Sequence, residues 1–219
     1  MQNAFNRSRR GLTPQQAFLK RACDVVVALV GLILMGWIIV LTAILATIDT
    51  HQNGFFIQRR IGRYGRSFHV VKIRTMRSSV DIQTVVTTER DPRITPLGRW
   101  LRKTKLDELP QLINVLLGQM SLVGPRPDVP GFADQLSDDD RIILSVRPGI
   151  TGPATLRFRY EEQELARQAD PERYNRDVIF PEKVRLNREY VESYSLTKDI
   201  KCLIWTLLGG PISDASRPL

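Results

Sequence analysis

The chain has 219 residues, 42% of them hydrophobic and 25% charged, a balance that excludes intrinsic disorder. Its 32 Lys and Arg outnumber 23 Asp and Glu, and the +9 excess implies an anionic partner: nucleic acid, an anionic membrane surface or a phosphorylated substrate. Aromatic residues are only 7%, against a base-stacking nucleic-acid groove, and two isolated cysteines and two histidines (His51 and His69) argue against a disulfide framework, a zinc site and histidine catalysis.

Residues 1–19 read as a basic tail carrying Arg7, Arg9 and Arg10. Residues 20–50 read as a membrane-inserted segment. Val25 to Ile48 holds no charge and is bounded by Asp24 and Asp49. As a helix it would be roughly 36 Å long, enough for a hydrocarbon core of about 30 Å. Lys20 and Arg21 precede it; Arg59, Arg60, Arg63 and Arg66 follow it. Positive flanks mark the cytoplasmic side, and here both are positive. A re-entrant path keeps both flanks inside and a straight span does not, so the residues leave the two topologies open. Gly31 and Gly36 offer places to bend; no proline does.

Residues 51–208 read as the catalytic domain, and 209–219 as a tail. Phe55 to Met76 predicts short strands around a glycine turn at Gly62 and Gly65. Ser78 to Thr88 is a polar loop. Thr95 to Lys105 predicts a helix with Leu97 and Leu101 on one face. "SLVGPRPDVPG", Ser121 to Gly131, predicts a rigid loop, because proline is excluded from a helix body and a central strand. Ser145 to Arg159 predicts a second Gly/Pro loop leading into a strand. Glu161 to Ala169, Pro181 to Tyr194 and Lys198 to Leu208 predict helices. The last has an apolar body that suits either a membrane interface or the core.

The acid pair in "LDELPQL", Leu106 to Leu112, raises the question of chemistry. Leu109, Leu112, Ile113, Leu116 and Leu117 form an apolar face, which predicts a helix from Glu108 to Leu117 closed by Gly118. Pro110 is tolerated in a first turn, which favours Asp107 as the N-cap over Thr104. A carboxylate there would stay ionised and lie where phosphate binds. It could attack phosphorus or hold a divalent metal; it could equally be a cap and no more. Arg93, Arg99, Arg102, Arg126, Arg147, Arg157 and Arg159 lie on both sides in sequence, and arginine suits bidentate phosphate binding.

Together these stretches resemble the monotopic phosphoglycosyl transferases, a bacterial sugar transferase family. The resemblance runs from about Lys20 to Leu208. It is carried by "KRACD", "FHVVKIRTM", "DPRITPLGRWLRKTKLDELPQLINVLLGQMSLVGPRP" and "VRPGITG". It implies an α+β, largely helical fold with one membrane-inserted, re-entrant N-terminal helix and a small cytoplasmic catalytic domain bearing interfacial helices. It implies transfer of a phosphosugar from a UDP-sugar to undecaprenyl phosphate, with release of UMP, dependence on Mg²⁺ and a covalent intermediate on Asp107. Asp107 would also contact the metal, with Glu108 as its partner. Arg102, Arg126 and Arg159 fall at positions of active-site arginines, and Lys72, Arg93 and Arg147 join them as candidate phosphate ligands. The implied location is the cytoplasmic face of the bacterial inner membrane, with membrane lipid as a partner and no nucleic acid; exposed apolar helices would also suit a homodimer. Two stretches depart from the family pattern. "MGWII", Met35 to Ile39, stands where relatives have a Ser-Pro break, and "GPATLRFR", Gly152 to Arg159, stands where they often read "GWAQVNGR". The second departure points to that segment as the seat of altered sugar preference.

Overall fold

A computed structural model describes residues 11–78 and 87–209. Arg7, Arg9 and Arg10, most of the Ser78–Thr88 loop and the tail from 210 lie outside the described residues. The architecture is α+β, and its first element is a long helix.

Helix α1, Pro14–Thr50, starts on a capping box: Thr13 accepts from the Gln16 backbone N–H, and the Gln16 side chain accepts from Thr13 N–H. It ends at His51, whose φ of 56° is left-handed. It is the one helix among the described residues long and apolar enough to cross a membrane. The break implied by the family is not seen: α1 runs uninterrupted, and no proline follows Pro14 within it to remove a hydrogen bond. One stripe, Lys20, Asp24, Ala28, Ile39, Ala43, Ala46 and Thr50, is buried against the rest of the chain. The opposite face, with Val26, Ile33, Leu34, Trp37, Ile44 and Ile48, stays more than half exposed.

Both ends of α1 are tied to the same folded unit. Lys20 Nζ meets Asp199 Oδ2 at 2.5 Å in a buried pair, and Tyr190 donates to the other Asp199 oxygen at 2.6 Å. Asp24 Oδ1 accepts from Leu122 N–H at 3.0 Å. Arg21 donates to the carbonyls of Val115 and Leu116 at 2.6 and 2.9 Å. Lys20 and Arg21, read from sequence as a topological charge flank, are thus structural ties. Twenty residues on, Ile39, Ala43 and Ala46 pack with Ile73 and Leu101.

The hairpin read around Gly62 and Gly65 is present as antiparallel β1 (Phe55–Ile61) and β2 (Ser67–Ile73), with Phe55 opposite Ile73 and Ile61 opposite Ser67. Helix α2, Pro96–Thr104, is capped by Thr95, which accepts from Gly98 N–H at 2.9 Å, and buries Leu101 completely. Gly98 is required by close approach: a Cβ there would sit 2.0 Å from Thr75 O.

The acid pair does not cap a helix. Leu106–Glu108 forms a 3₁₀ turn, entered from Lys105 at φ 60°, and the following helix α3 spans only Gln111–Leu116. Pro110 sits at the junction of turn and helix, so the regular ladder starts later than the apolar spacing indicates. The closing glycine is as read: Gly118 has φ 77° and donates to Val115 O at 3.0 Å.

Two further readings change. Ser121–Val123, inside the stretch read as loop, is a strand (β3) paired in parallel with β4, Gly149–Thr151. The prolines begin only at Pro125, beyond the pairing. Ser145 to Arg159, read as a loop leading into a strand, holds β4 in its middle and then turns into helix α4, Pro153–Arg157, with proline at its first turn. Glycines lock the two strand ends together: a Cβ on Gly149 would lie 2.1 Å from Gly124 N, and one on Gly152 would lie 2.4 Å from Gly124 O. The short helix α5 is Glu161–Leu165 and α6 is Pro171–Tyr174; α7, Phe180–Glu192, and α8, Leu196–Leu208, fall where helices were read. In α8 Cys202 is fully buried while Leu207 and Leu208 are at least 80% exposed, so it serves both core and surface.

Candidate active site

Three elements converge on the acid pair. Asn114 of α3 is buried and latches onto β2: its Oδ1 accepts from Val71 N–H at 3.1 Å and its Nδ2 donates to His69 O at 2.8 Å. That latch sets the 3₁₀ turn beside the end of β2, where Lys72 Nζ donates to Glu108 Oε1 at 3.0 Å. The third element is the Pro-flanked loop after β3. Ile61 N–H donates to Asp128 O at 2.9 Å and Arg60 Nη1 to Pro127 O at 3.2 Å, which fastens the loop to β1. The loop thereby delivers Arg126, whose Nη2 lies 2.5 Å from Glu108 Oε1 and whose Nη1 lies 3.4 Å from Oε2.

The two acids are therefore shifted in opposite directions. Burial works against charge on Glu108, but Arg126 and Lys72 overcome it and hold the carboxyl well below the usual range. Asp107 gains no such partner: its Oδ1 is buried without a hydrogen bond. Burial, and then the charge of Glu108, pushes the Asp107 carboxyl up to about 6, against the pull of Lys72, Lys105 and Arg102. The helix terminus read from sequence as the support for charge on Asp107 is not there: the acid pair lies in a 3₁₀ turn and the helix begins at Gln111.

Of the residues read as phosphate ligands, Lys72 and Arg126 touch the dyad and Arg102 adds its charge to Asp107. Arg102 also donates to Thr75 Oγ1 at 3.3 Å and pairs with Glu162 of α5. Arg93 makes a two-pronged pair with Asp91 instead. Arg147 donates to Gly118 O at 2.8 Å, and Arg159 donates to Trp205 O at 2.7 Å near the end of α8. Neither has a contact with Asp107 or Glu108 among the described residues. The sequence reading missed Arg60, Asn114, Asp128, Glu161 and Lys183. Burial raises Asp128 to about 6, against Lys183 and Arg60, and Lys183 pairs with Glu161 at 2.7 Å. Asp128 stands two residues from Arg126 and could have been suspected; Glu161 and Lys183 come from distant helices and carry no local signal.

An enclosed acid pair, one carboxylate neutralised and one unpaired, ringed by lysine and arginine, suits chemistry on an anionic substrate. A family model described as "Bacterial sugar transferase" matches residues 15–210. The chain belongs to this family. Among its relatives, the galactosyl transferase CpsE of Streptococcus agalactiae is 34% identical over 203 residues, which is 86% of this chain and 41% of that protein. The UDP-glucose:undecaprenyl-phosphate glucose-1-phosphate transferase of Escherichia coli is 34% identical over 203 residues, 90% of this chain and 41% of that protein. The chain thus spans well under half the length of these sugar transferases. The exopolysaccharide production protein ExoY of Rhizobium meliloti is closer in size: 31% identity covers 89% of this chain and 86% of that protein.

Proposed function

We propose that the chain transfers a phosphosugar from a UDP-sugar to a polyprenyl phosphate such as undecaprenyl phosphate, through a covalent intermediate on Asp107, as the opening step of a polysaccharide or glycoconjugate. The observation that carries this reading is the unpaired, buried Asp107 Oδ1 beside a neighbour whose charge is fully engaged. Relatives named as undecaprenyl-phosphate sugar phosphotransferases support the substrate classes.

At neutral pH a carboxyl titrating near 6 is mostly ionised yet poorly solvated, which suits a nucleophile. Its oxygen attacks the phosphorus bearing the sugar. The bond from that phosphorus to the bridging oxygen breaks, and UMP departs with the electron pair. An oxygen of the polyprenyl phosphate then attacks the same phosphorus and frees the Asp107 carboxylate. A diphosphate would repel a carboxylate, so cations must offset its charge. Arg126 and Lys72, gathered by Glu108, are in place for that, with Arg102 beside them.

The donor set fits Mg²⁺. No cluster of three or more metal-ligating side chains occurs among the described residues, but Mg²⁺ commonly takes one or two carboxylates and completes its shell with substrate phosphates and water. Asp107 would be its protein donor through the carboxylate oxygen that does not attack phosphorus, and a bound ion would neutralise phosphate charge.

Both ends of α1 are tied to one folded unit, which argues for placing both flanks on one side of a bilayer, and their positive charge favours the cytoplasmic side. The exposed apolar face of α1 would then enter the lipid from that side, and a polyprenyl phosphate would reach the site from the interface. Incubation with a UDP-sugar and undecaprenyl phosphate, with the nucleotide product identified, tests the reaction: UMP supports it, whereas UDP would indicate transfer of the sugar alone.

A further inference from the structure

A cleft of about 340 Å³ opens beside the first turns of α1, lined by Ala17, Lys20, Asp24, Arg63, Tyr64, Ser145 and Arg147 among others. It shares no side chain with the Asp107–Glu108 cluster. Its lysine is paired with an acid from outside the cleft, and its one acid meets a neutral backbone N–H. Asp24 accepts from Leu122 N–H, and Lys20 is held by Asp199.

Its arginines are not neutralised in this way. Arg63 donates through Nε to Ser145 O at 2.8 Å, and Arg147 through Nε to Gly118 O at 2.8 Å. Each uses one of five N–H donors on a neutral carbonyl. Among the described residues neither forms a salt bridge. Arg21, just outside, is likewise spent on carbonyls and adds a third positive charge. Burial, then Arg21 and Arg63, lowers the pKa of Arg147 against the opposing charge of Asp24, as expected where positive charges outnumber the one nearby acid. Arg63 is further fixed by stacking over the Tyr64 ring at 4.5 Å, with Tyr64 held at φ 60°. Ser145 Oγ is buried and has no hydrogen-bond partner. Crowded guanidinium groups with unused donors and an orphan hydroxyl are an incomplete set that an anion would complete.

The position narrows the chemistry. Lys20 and Asp24 occupy the last polar turn of α1 before the uncharged Val25 to Ile48 stretch. Leu117, next to the Gly118 carbonyl that holds Arg147, is 67% exposed. The cleft therefore lies where polar and apolar surfaces of the chain meet. We propose that the Arg63–Arg147 cleft is a second anion site that seats a phosphate group, separate from the catalytic dyad and independent of the reaction assigned to it.

Phosphatidylglycerol and inorganic pyrophosphate offer that chemistry from a lipid and from solution. The test uses the purified full chain, with phenylglyoxal modification of Arg63 and Arg147 followed by peptide mass spectrometry. We expect saturating phosphatidylglycerol nanodiscs or pyrophosphate to slow modification of both arginines about tenfold or more, while exposed Arg66 is unaffected. Protection by phosphatidylglycerol discs but not by pyrophosphate identifies a lipid headgroup; the converse identifies a soluble phosphate. Binding of the protecting probe should weaken about tenfold in Arg63→Gln and Arg147→Gln and remain near wild type in Arg66→Gln. Equal weakening in Arg66→Gln, or no protection by either probe, would overturn the proposal. The chemical modification reads the unaltered protein, so a variant that fails to fold does not blunt the test.

Discussion

Arg126 lies on Glu108 through both of its terminal nitrogens, at 2.5 and 3.4 Å, and Lys72 reaches the same carboxylate at 3.0 Å. One acid of the pair is thereby spent on holding two cations, and the other, Asp107, is left without a partner. In the proposed reaction Glu108 would position positive charge and Asp107 would react. Arg126→Ala should lower kcat/KM by about 10²- to 10³-fold, the usual scale for removing a group that stabilises developing charge. Steady-state kinetics with a UDP-sugar checks this.

The pH profile should separate the two acids. With Asp107 raised to about 6, kcat/KM should fall as pH drops through about 6. Glu108 is one cause of that elevation, so Glu108→Gln should move the acid limb to lower pH. The same change leaves the part-buried Lys72 and Arg126 without this counterion and should cost about 1–3 kcal/mol of stability, measured by denaturant unfolding.

Asp107→Asn should have the opposite effect on stability. The folded pKa of about 6 lies above the ordinary 3.8, so Asp107 stabilises the fold when protonated, and this contribution is lost as pH rises through the folded value. At pH 8 the ionised group is a burden. The asparagine variant should unfold at an equal or higher temperature than wild type at pH 8, with the advantage gone below pH 4, as read by thermal melts.

Much of the scaffold was legible in the sequence, because periodicity and turn chemistry are local. Thr95, Gly118, the hairpin glycines and the helices near the C-terminus all lie where such signals place them. The acid pair was legible as a site but not as a geometry. Leucine spacing implied one helix from Glu108, whereas Pro110 divides the segment into a 3₁₀ turn and a shorter helix. The fates of the arginines depend on distant carbonyls, Gly118 for Arg147 and Trp205 for Arg159, and no spacing rule reports them. The β3–β4 pairing was hidden because prolines dominate the stretch although they begin only after the strand ends.

Asn114 shows how the site depends on packing that a motif does not reveal. It joins α3 to β2 and also donates to Gln119 Oε1 at 2.7 Å. Asn114→Leu leaves Val71 N–H and His69 O without their partner and should cost about 2–4 kcal/mol, measured by denaturant unfolding.

Gly124 and Gly149 should tolerate no side chain. A Cβ at Gly149 would sit 2.1 Å from Gly124 N, so Gly149→Ala should displace the loop that carries Arg126. Expression with limited proteolysis should show a loosened or insoluble product.

The central claim is that Asp107 carries the phosphosugar. The direct measurement is incubation with a UDP-sugar labelled in the sugar, without lipid acceptor, followed by denaturing separation and peptide mapping. The account predicts label on the peptide containing Asp107, none in Asp107→Asn, and release of the wild-type label on adding undecaprenyl phosphate. Full turnover by Asp107→Asn, or label retained elsewhere in that variant, would contradict it.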